Sequence, residues 1–182
     1  MTWTKQAVLA ELAALGIAYE LIEHPPVLKV EAARAHWAGL PGFGAKNLLL
    51  KDAGGRLWLV VLPAEAPVDL KALPARIGSK RLSFARPPDL AATLAVEPGS
   101  VTPLAVVNDR DHRVTVVLAA ELAGDAPVGV HPLENTATVS LSGLDLVRFL
   151  QQHGHDPAIL SPARVVTAPE SRCTQVPLPP DT

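Results

Sequence analysis

The stretch Gly44-Ala45-Lys46-Asn47-Leu48-Leu49-Leu50-Lys51-Asp52-Ala53-Gly54-Gly55-Arg56-Leu57-Trp58-Leu59-Val60-Val61-Leu62 holds two apolar runs separated by a turn. Residues 48–51 and 57–62 are β-like, and Asp52-Ala53-Gly54-Gly55 supplies the residue types that a tight reversal demands, so the stretch predicts a β-hairpin. Lys46 and Asn47 stand at the entrance to its first strand. A compact cation with three donors beside an amide that both donates and accepts suits an ester or phosphate ligand. In isolation, such a pair reads more simply as solvated turn residues.

Ahead of the hairpin, residues 4–15 carry Val8, Leu12 and Leu15 at helical spacing, with Gly16 as a stop. Residues 17–22 read as a strand. Pro25 and Pro26 after His24 exclude helix there, and a short helix is expected over 31–37. Behind the hairpin, Asp69 is placed to cap a helix reaching residue 77, distorted by Pro74, and residues 88–94 suggest another. Residues 104–108 and 113–118 flank Asp109-Arg110-Asp111-His112, which predicts a second hairpin. Residues 136–141 are strand-like. Ser142 to Asp145 has the form of a capping box that opens a helix with Leu146, Phe149 and Leu150 on its stripe. Hairpins mixed with helices argue for an α+β fold. Five prolines in the 22 residues from Ser161, with little apolar periodicity, predict a flexible tail. The expected organisation is therefore one domain over 1–160 and a Pro-rich tail over 161–182.

With 182 residues, 48% of them hydrophobic, the chain can bury one sizeable core. No basic region precedes a long apolar run and no apolar stretch is long enough to cross a bilayer, so a cytoplasmic protein without a membrane partner is expected. The lone Cys173 excludes an internal disulfide and reads as an incidental thiol. The six His are scattered, and His153 and His155 read as solvated residues at a helix end without nearby Cys. Neither a metal nor a cofactor is expected. Between Lys46 and Arg86 there are eight Lys or Arg against three acids, a net of +5, which leaves −7 on the rest of a chain whose total is −2. A basic middle on an acidic protein could steer a polyanion to one face, or simply be a solvated surface.

Three further segments follow the Lys46-Asn47 pair in order: Gly99-Ser100-Val101-Thr102-Pro103, the run from Asn108 to Val117, and Gly129-Val130-His131-Pro132-Leu133-Glu134-Asn135 continuing to Val139. Taken together, over about residues 4–160, they resemble the YbaK-like editing domains associated with prolyl-tRNA synthetase, and within that family the freestanding alanyl-tRNA(Pro) deacylases. The resemblance implies a mixed, hairpin-rich sheet with a barrel-like core and flanking helices. It also implies trans-editing, the hydrolysis of mischarged Ala-tRNA(Pro). A site that excludes larger amino acids sterically discriminates poorly against a smaller one, by only about 1–3 kcal/mol, so a second hydrolytic site supplies the remaining fidelity.

By the same resemblance, Lys46 is the essential residue, a cation near the terminal adenosine and the scissile ester. Gly99, Ser100, Val101, Thr102 and Pro103 form the substrate-binding loop, in which glycine permits close backbone approach and proline rigidifies the exit. His131 lies at the pocket in a binding or auxiliary role, with Asn47 and Asn135 as neighbours. Lys51, Arg76, Lys80 and Arg81, from the basic middle, are candidates for tRNA binding. Ester hydrolysis needs a positioned water and donors for the developing oxyanion. Ser100 and Thr102 lack a recognisable base and are not read as nucleophiles. The expected partners are the acceptor end of mischarged tRNA(Pro) and prolyl-tRNA synthetase, with no DNA partner.

Relatives read Pro-Pro-Val-Phe-Thr-Val-Glu-Glu-Ala where this chain has Pro25-Pro26-Val27-Leu28-Lys29-Val30-Glu31-Ala32-Ala33. Leu28 and Lys29 stand in place of an aromatic and a small hydroxyl residue, a change that bears on amino-acid preference more than on reaction class. Two alternatives stay open: a deacylase for Cys- or Ser-charged tRNA, and a non-catalytic tRNA- or synthetase-binding module.

Overall fold

The computed structural model describes residues 2–26 and 43–161. The expected helix over 31–37, the departures at Leu28 and Lys29, Cys173 and nearly all of the Pro-rich tail lie outside them. In chain order the described elements are α1 (Lys5–Ala14), β1 (Tyr19–Glu23), β2 (Phe43–Asp52), β3 (Leu57–Pro63), α2 (Leu73–Ile77), β4 (Leu82–Phe84), α3 (Pro87–Leu94), a 3-10 helix (Pro103–Asn108), β5 (Val114–Ala119), a short 3-10 turn (Ala120–Leu122), β6 (Pro127–Val130), β7 (Ala137–Ser142), α4 (Gly143–Gln152) and β8 (Ala158–Leu160). They build one mixed eight-stranded sheet in the order β1-β7-β6-β2-β3-β5-β8, with β4 paired to β2. The α+β reading holds.

The quoted stretch forms the hairpin at the centre of this sheet, with Lys46 opposite Leu62 and Lys51 opposite Leu57. Asp52 closes it: its Oδ1 accepts from Gly54 N at 2.7 Å and Arg56 N at 3.1 Å. These bonds hold its carboxyl below the ordinary value against the opposing effect of burial, which is the largest single influence on it. Both local helix signals are also realised. Thr4 Oγ1 accepts from Ala7 N at the start of α1, and Ser142 Oγ accepts from Asp145 N at 3.0 Å at the start of α4.

The second hairpin does not form. Residues 103–108 are a 3-10 helix, and β5 pairs in parallel with β3, Leu57 opposite Val114, instead of with residues 104–108. Pro103 presets the first turn and Thr102 caps it, accepting from Leu104 N at 3.4 Å. Pro103 through Val107 are all buried, so the run shows no alternation, and a short apolar run buried on every side does not reveal its period. Asp109 to His112 does not close a hairpin either. Asp109 Oδ2 accepts from Val114 N at 2.8 Å and fixes the entry to β5.

Smaller corrections follow from proline and from pairing. α2 spans only Leu73–Ile77, because Pro74 favours the first helical turn, while Asp69 Oδ1 holds a turn ahead of it by accepting from Lys71 N and Ala72 N. The first strand starts at Tyr19 rather than at residue 17, and Ile17 is a core residue. The edge strands β4 and β8, three residues each, are too short to carry a pattern.

Strand register assigns the residues around Lys46 to two faces. Residues directly paired share a face and successive residues alternate. Leu49, Leu59 and Val116 therefore lie on one face, joined across β2 and β6 by Val128, Leu141, Val130 and Val139. All are buried in the core cluster. The opposite face carries Gly44, Gly129 and Ser140 in one row, and along the hairpin it is apolar as well, with Leu50, Val60 and Leu62 buried. Lys46 belongs to it.

Candidate active site

β2 begins at Phe43, so Lys46 is the fourth residue of the strand rather than its entrance. β2 and β6 run parallel and pair only through Phe43 with Val128 and Gly44 with Gly129. Beyond that point Lys46 follows Gly44 by two residues on one chain, and His131 follows Gly129 by two on the other. Each of these two predicted residues thus lies two positions beyond the last β2–β6 pair, where the strands part.

Lys46 is half-buried, and its ammonium donates to the carbonyl oxygen of Ala66 in the loop after β3. Burial pushes its pKa below the ordinary lysine value, opposed by the nearby Glu65 carboxylate. A partly desolvated cation with donors beyond the one used on Ala66 is well suited to a developing oxyanion.

His131 Nδ1 donates to the carbonyl of Ala137, at 2.9 Å. A carbonyl can only accept, so this bond sets the tautomer and leaves Nε2 of the neutral ring as an acceptor. Burial lowers the His131 pKa, the Ala137 bond opposes this, and His24 reinforces it from a ring centroid 6.1 Å away. Both effects favour the neutral ring. His24 is itself buried. Its Nε2 lies 2.9 Å from Thr138 Oγ1 and its Nδ1 lies 2.9 Å from Pro25 O.

His24, Thr138 and Ser140 are buried polar groups around this junction that the sequence reading passed over. In the sequence Thr138 and Ser140 read only as alternating strand residues, and His24 only as part of a proline connection. The signal was present in the alternation, because residues 138 and 140 are the polar members of a strand whose neighbours Ala137, Val139 and Leu141 are apolar.

The structure separates Asn47 from Lys46. Adjacent strand residues point to opposite faces, so Asn47 shares the core face with its partner Val61. Its Oδ1 is buried without a hydrogen-bond partner among the described residues.

The loop from His131 to Thr136 links the Lys46 junction to the Gly99–Pro103 segment. Ser100, Leu133, Asn135 and Ala95 line one cavity of about 330 Å³. Gly99 has φ +91° there, a conformation that favours glycine, and Ala95 and Leu133 adopt positive φ of 53° and 70° without that freedom. Backbone strain of this kind persists only where the surroundings enforce it, and it concentrates at functional sites. Within the loop, Thr102 and Pro103 are buried and serve the 3-10 helix. Ser100 is the member of the loop that lines the cavity.

The basic residues do not form one patch. Lys51 lies on the opposite face of β2 from Lys46, and its ammonium is held 2.9 Å from Asp89 Oδ1. Arg76 donates to the carbonyl of Ser161. Lys80 packs against the β2–β3 turn at Gly54, and the Arg81 carbonyl accepts from Ala53 N. Lys80 and Arg81 thus sit at the far end of the hairpin, about 20 Å along β2 from Lys46.

The residues read as solvated at the end of α4 are not solvated. His155 is 4% exposed, its ring centroid lies 5.0 Å from that of His112, and its Nε2 lies 3.8 Å from Asp109 Oδ2. His153 packs between Trp3 and Phe149.

Residues 24–149 match the family model described as an aminoacyl-tRNA editing domain. The prolyl-tRNA editing protein ProX of Acetoanaerobium sticklandii is 42% identical over 152 residues, covering 83% of this chain and 93% of that one. The prolyl-tRNA synthetase associated domain-containing protein 1 of Danio rerio is 40% identical over 152 residues, covering 82% and 83%. Among solved structures, a hypothetical protein superposes with a TM-score of 0.67 at 20% identity, covering 86% of this chain and 99% of that one. A candidate trans-editing enzyme for prolyl tRNA synthetase superposes with a TM-score of 0.63 at 21% identity, covering 88% and 98%. The chain belongs to the aminoacyl-tRNA editing domain family and is a deacylase, an ester hydrolase.

Proposed function

We propose that this deacylase edits in trans, releasing alanine from mischarged Ala-tRNA(Pro). The observation that carries the reading is the junction of β2 and β6, where a partly desolvated Lys46 and a His131 held toward its neutral form each follow the last paired residue by two positions. The relatives named for prolyl-tRNA editing support the choice of tRNA. Water attacks the ester carbonyl carbon, Lys46 steadies the negative charge on the carbonyl oxygen, and the bond to the terminal ribose oxygen breaks as that oxygen takes a proton. His131 Nε2 orients the water or the substrate by accepting a hydrogen bond. The neighbouring ribose hydroxyl of the substrate helps activate the water. A substrate with hydrogen in place of that hydroxyl should therefore be hydrolysed far more slowly, and an undiminished rate would reject this part of the mechanism.

Ser100 and the backbone of Gly99 and Val101, with Asn135, contact the substrate through the shared cavity, while Thr102 and Pro103 hold the loop. Asn47 supports the site from the core face. Arg76, Lys80 and Arg81 meet the tRNA away from the ester, and Lys51 does so only in exchange for its bond to Asp89. The catalytic unit is the domain over residues 1–160, acting in the cytoplasm with prolyl-tRNA synthetase as a partner. No described helix is long and apolar enough to cross a membrane.

The test is hydrolysis of purified Ala-, Pro-, Ser- and Cys-tRNA(Pro). Rapid release of alanine alone supports the reading. Release of serine or cysteine instead keeps the reaction and replaces the substrate, and no release from any overturns it.

The pH dependence follows from His131. Protonation turns its Nε2 from acceptor into donor, and the lowered pKa keeps the ring neutral until the pH is below the ordinary value of 6.5. The expected profile of kcat/KM is flat near neutrality and falls on the acid side of 6.5, and His131→Asn should be slower and lack that acid limb. An unchanged limb in the variant would assign it elsewhere. Stability moves in the same direction. The folded state binds this proton less readily than the unfolded chain, so its contribution is complete above 6.5 and is lost as pH falls toward the lowered value.

A further inference from the structure

The edge of β2 that faces away from β3 is paired at both ends and open between them. It meets β6 at Phe43 and Gly44. It meets β4 at Leu50 to Asp52, and Ala85 N donates to Leu49 O. Among the described residues, no strand pairs with Ala45 to Leu48 on that edge. Lys46 lies inside the gap, and Phe84 stands at the rim where pairing resumes.

Phe84 is directly opposite Leu50, so register places it on the same face as Leu48 and Lys46, about 13 Å from Lys46 along the strand. It is 61% exposed, the most exposed large hydrophobic side chain among the described residues, and enters none of the aromatic contacts found among them. The chain has only seven aromatic residues of the Phe, Trp and Tyr types, and this one is spent on water in the middle of its basic segment. Arg81 and Arg86 flank it and are both exposed. A lone exposed phenylalanine needs no explanation on an ordinary surface. One framed by arginines, on the same face as the proposed ester-binding cation, matches the combination of stacking platform and positive charge that binds single-stranded nucleic acid.

We infer that Phe84 is a stacking platform for an unpaired base of the tRNA 3′ strand, which runs along the open edge of β2 from Arg81 and Arg86 toward Lys46. The inference rests on the trans-editing reading and deepens it. It makes Phe84 a positioning residue that holds the acceptor end while the ester reaches Lys46.

Two measurements test it, and only one depends on hydrolysis. In deacylation of Ala-tRNA(Pro), Phe84→Leu should raise KM about ten-fold, the loss expected for one base–aromatic stack, with kcat unchanged, while Phe84→Tyr should keep the wild-type KM. In the second, an uncharged acceptor-stem hairpin carries 2-aminopurine in turn at each unpaired position before its terminal adenosine. The wild-type protein and Phe84→Tyr should quench one of these positions by stacking, and Phe84→Leu should not. Quenching that is equal in wild type and Phe84→Leu overturns the inference, as does an unchanged KM. If the wild type hydrolyses none of the charged tRNAs, the editing reading falls, and the fluorescence alone decides whether Phe84 stacks.

Discussion

Replacing Lys46 by alanine should lower kcat/KM for Ala-tRNA(Pro) by at least about 10²–10³-fold, the loss typical of removing one preorganised oxyanion donor, and leave the melting temperature unchanged. The two halves of this expectation come from different properties of the residue. The ammonium is partly desolvated, so its charge acts on the developing oxyanion with less screening than a surface lysine would have. Yet it makes one hydrogen bond within the fold, to Ala66 O, and it is only half-buried, so its loss removes little packing. Lys46→Arg should fail almost as badly, because a planar guanidinium cannot take up the geometry of a compact ammonium beside Ala66. A Lys46→Arg enzyme of full activity would show that only charge is needed. A Lys46→Ala enzyme of full activity would remove the residue from the site.

The second large effect concerns the fold. Gly143 begins α4, and a Cβ built on it would lie 2.3 Å from Leu122 O and 2.7 Å from Gly124 O. Both are backbone atoms that cannot swing aside. They are also fixed by pairing, since Gly143 N donates to Ala126 O at 3.1 Å and Leu144 N to Gly124 O at 2.9 Å. Gly143→Ala must therefore displace either the loop of residues 120–126 or the first turn of a helix whose Leu146, Phe149 and Leu150 are fully buried. The expected cost is about 3 kcal/mol, the upper range for overpacking. In a chain of this size that corresponds to a melting temperature lower by about 6–12 °C. Gly124→Ala, whose added Cβ would meet nothing within 4 Å, is the matched control and should melt close to wild type. Equal melting of the two variants would show that the helix start yields at little cost.

Leu118→Ala would report on the core in general, whereas the Gly143 comparison isolates one backbone contact. That contact lies outside the reach of sequence patterning. Ser142-Gly143-Leu144-Asp145 announced the helix start through its cap, but a glycine within a cap motif gives no sign that two carbonyls press against it.

The same division runs through the site. The turn residues Asp52 to Gly55, the cap at Ser142 and the stripe of α4 act over a few residues, so the central hairpin and the outer helices were legible in the order of residues. Lys46, His131 and the Gly99–Pro103 segment were legible as motifs. The second hairpin was misread because residues 103–107 are buried on every side, and that burial is imposed by elements far along the chain. His153 and His155 depart from the solvated pair that their place in the sequence suggests for the same reason, since their neighbours Trp3, His112 and Asp109 are brought to them only by folding.

By itself, then, the sequence determined the central hairpin, the capped helices α1 and α4 and the membership of the family, because caps, turns and alternation depend on near neighbours and the motifs stand in linear order. Only the tertiary structure decided that Lys46 and Asn47 face opposite ways, that parallel pairing of β2 with β6 ends two residues short of both Lys46 and His131, and that Phe84 stands on the face of Lys46 in open water. Those facts follow from strand register, which pairs residues separated by tens of positions along the chain and leaves no mark in the local order of amino acids.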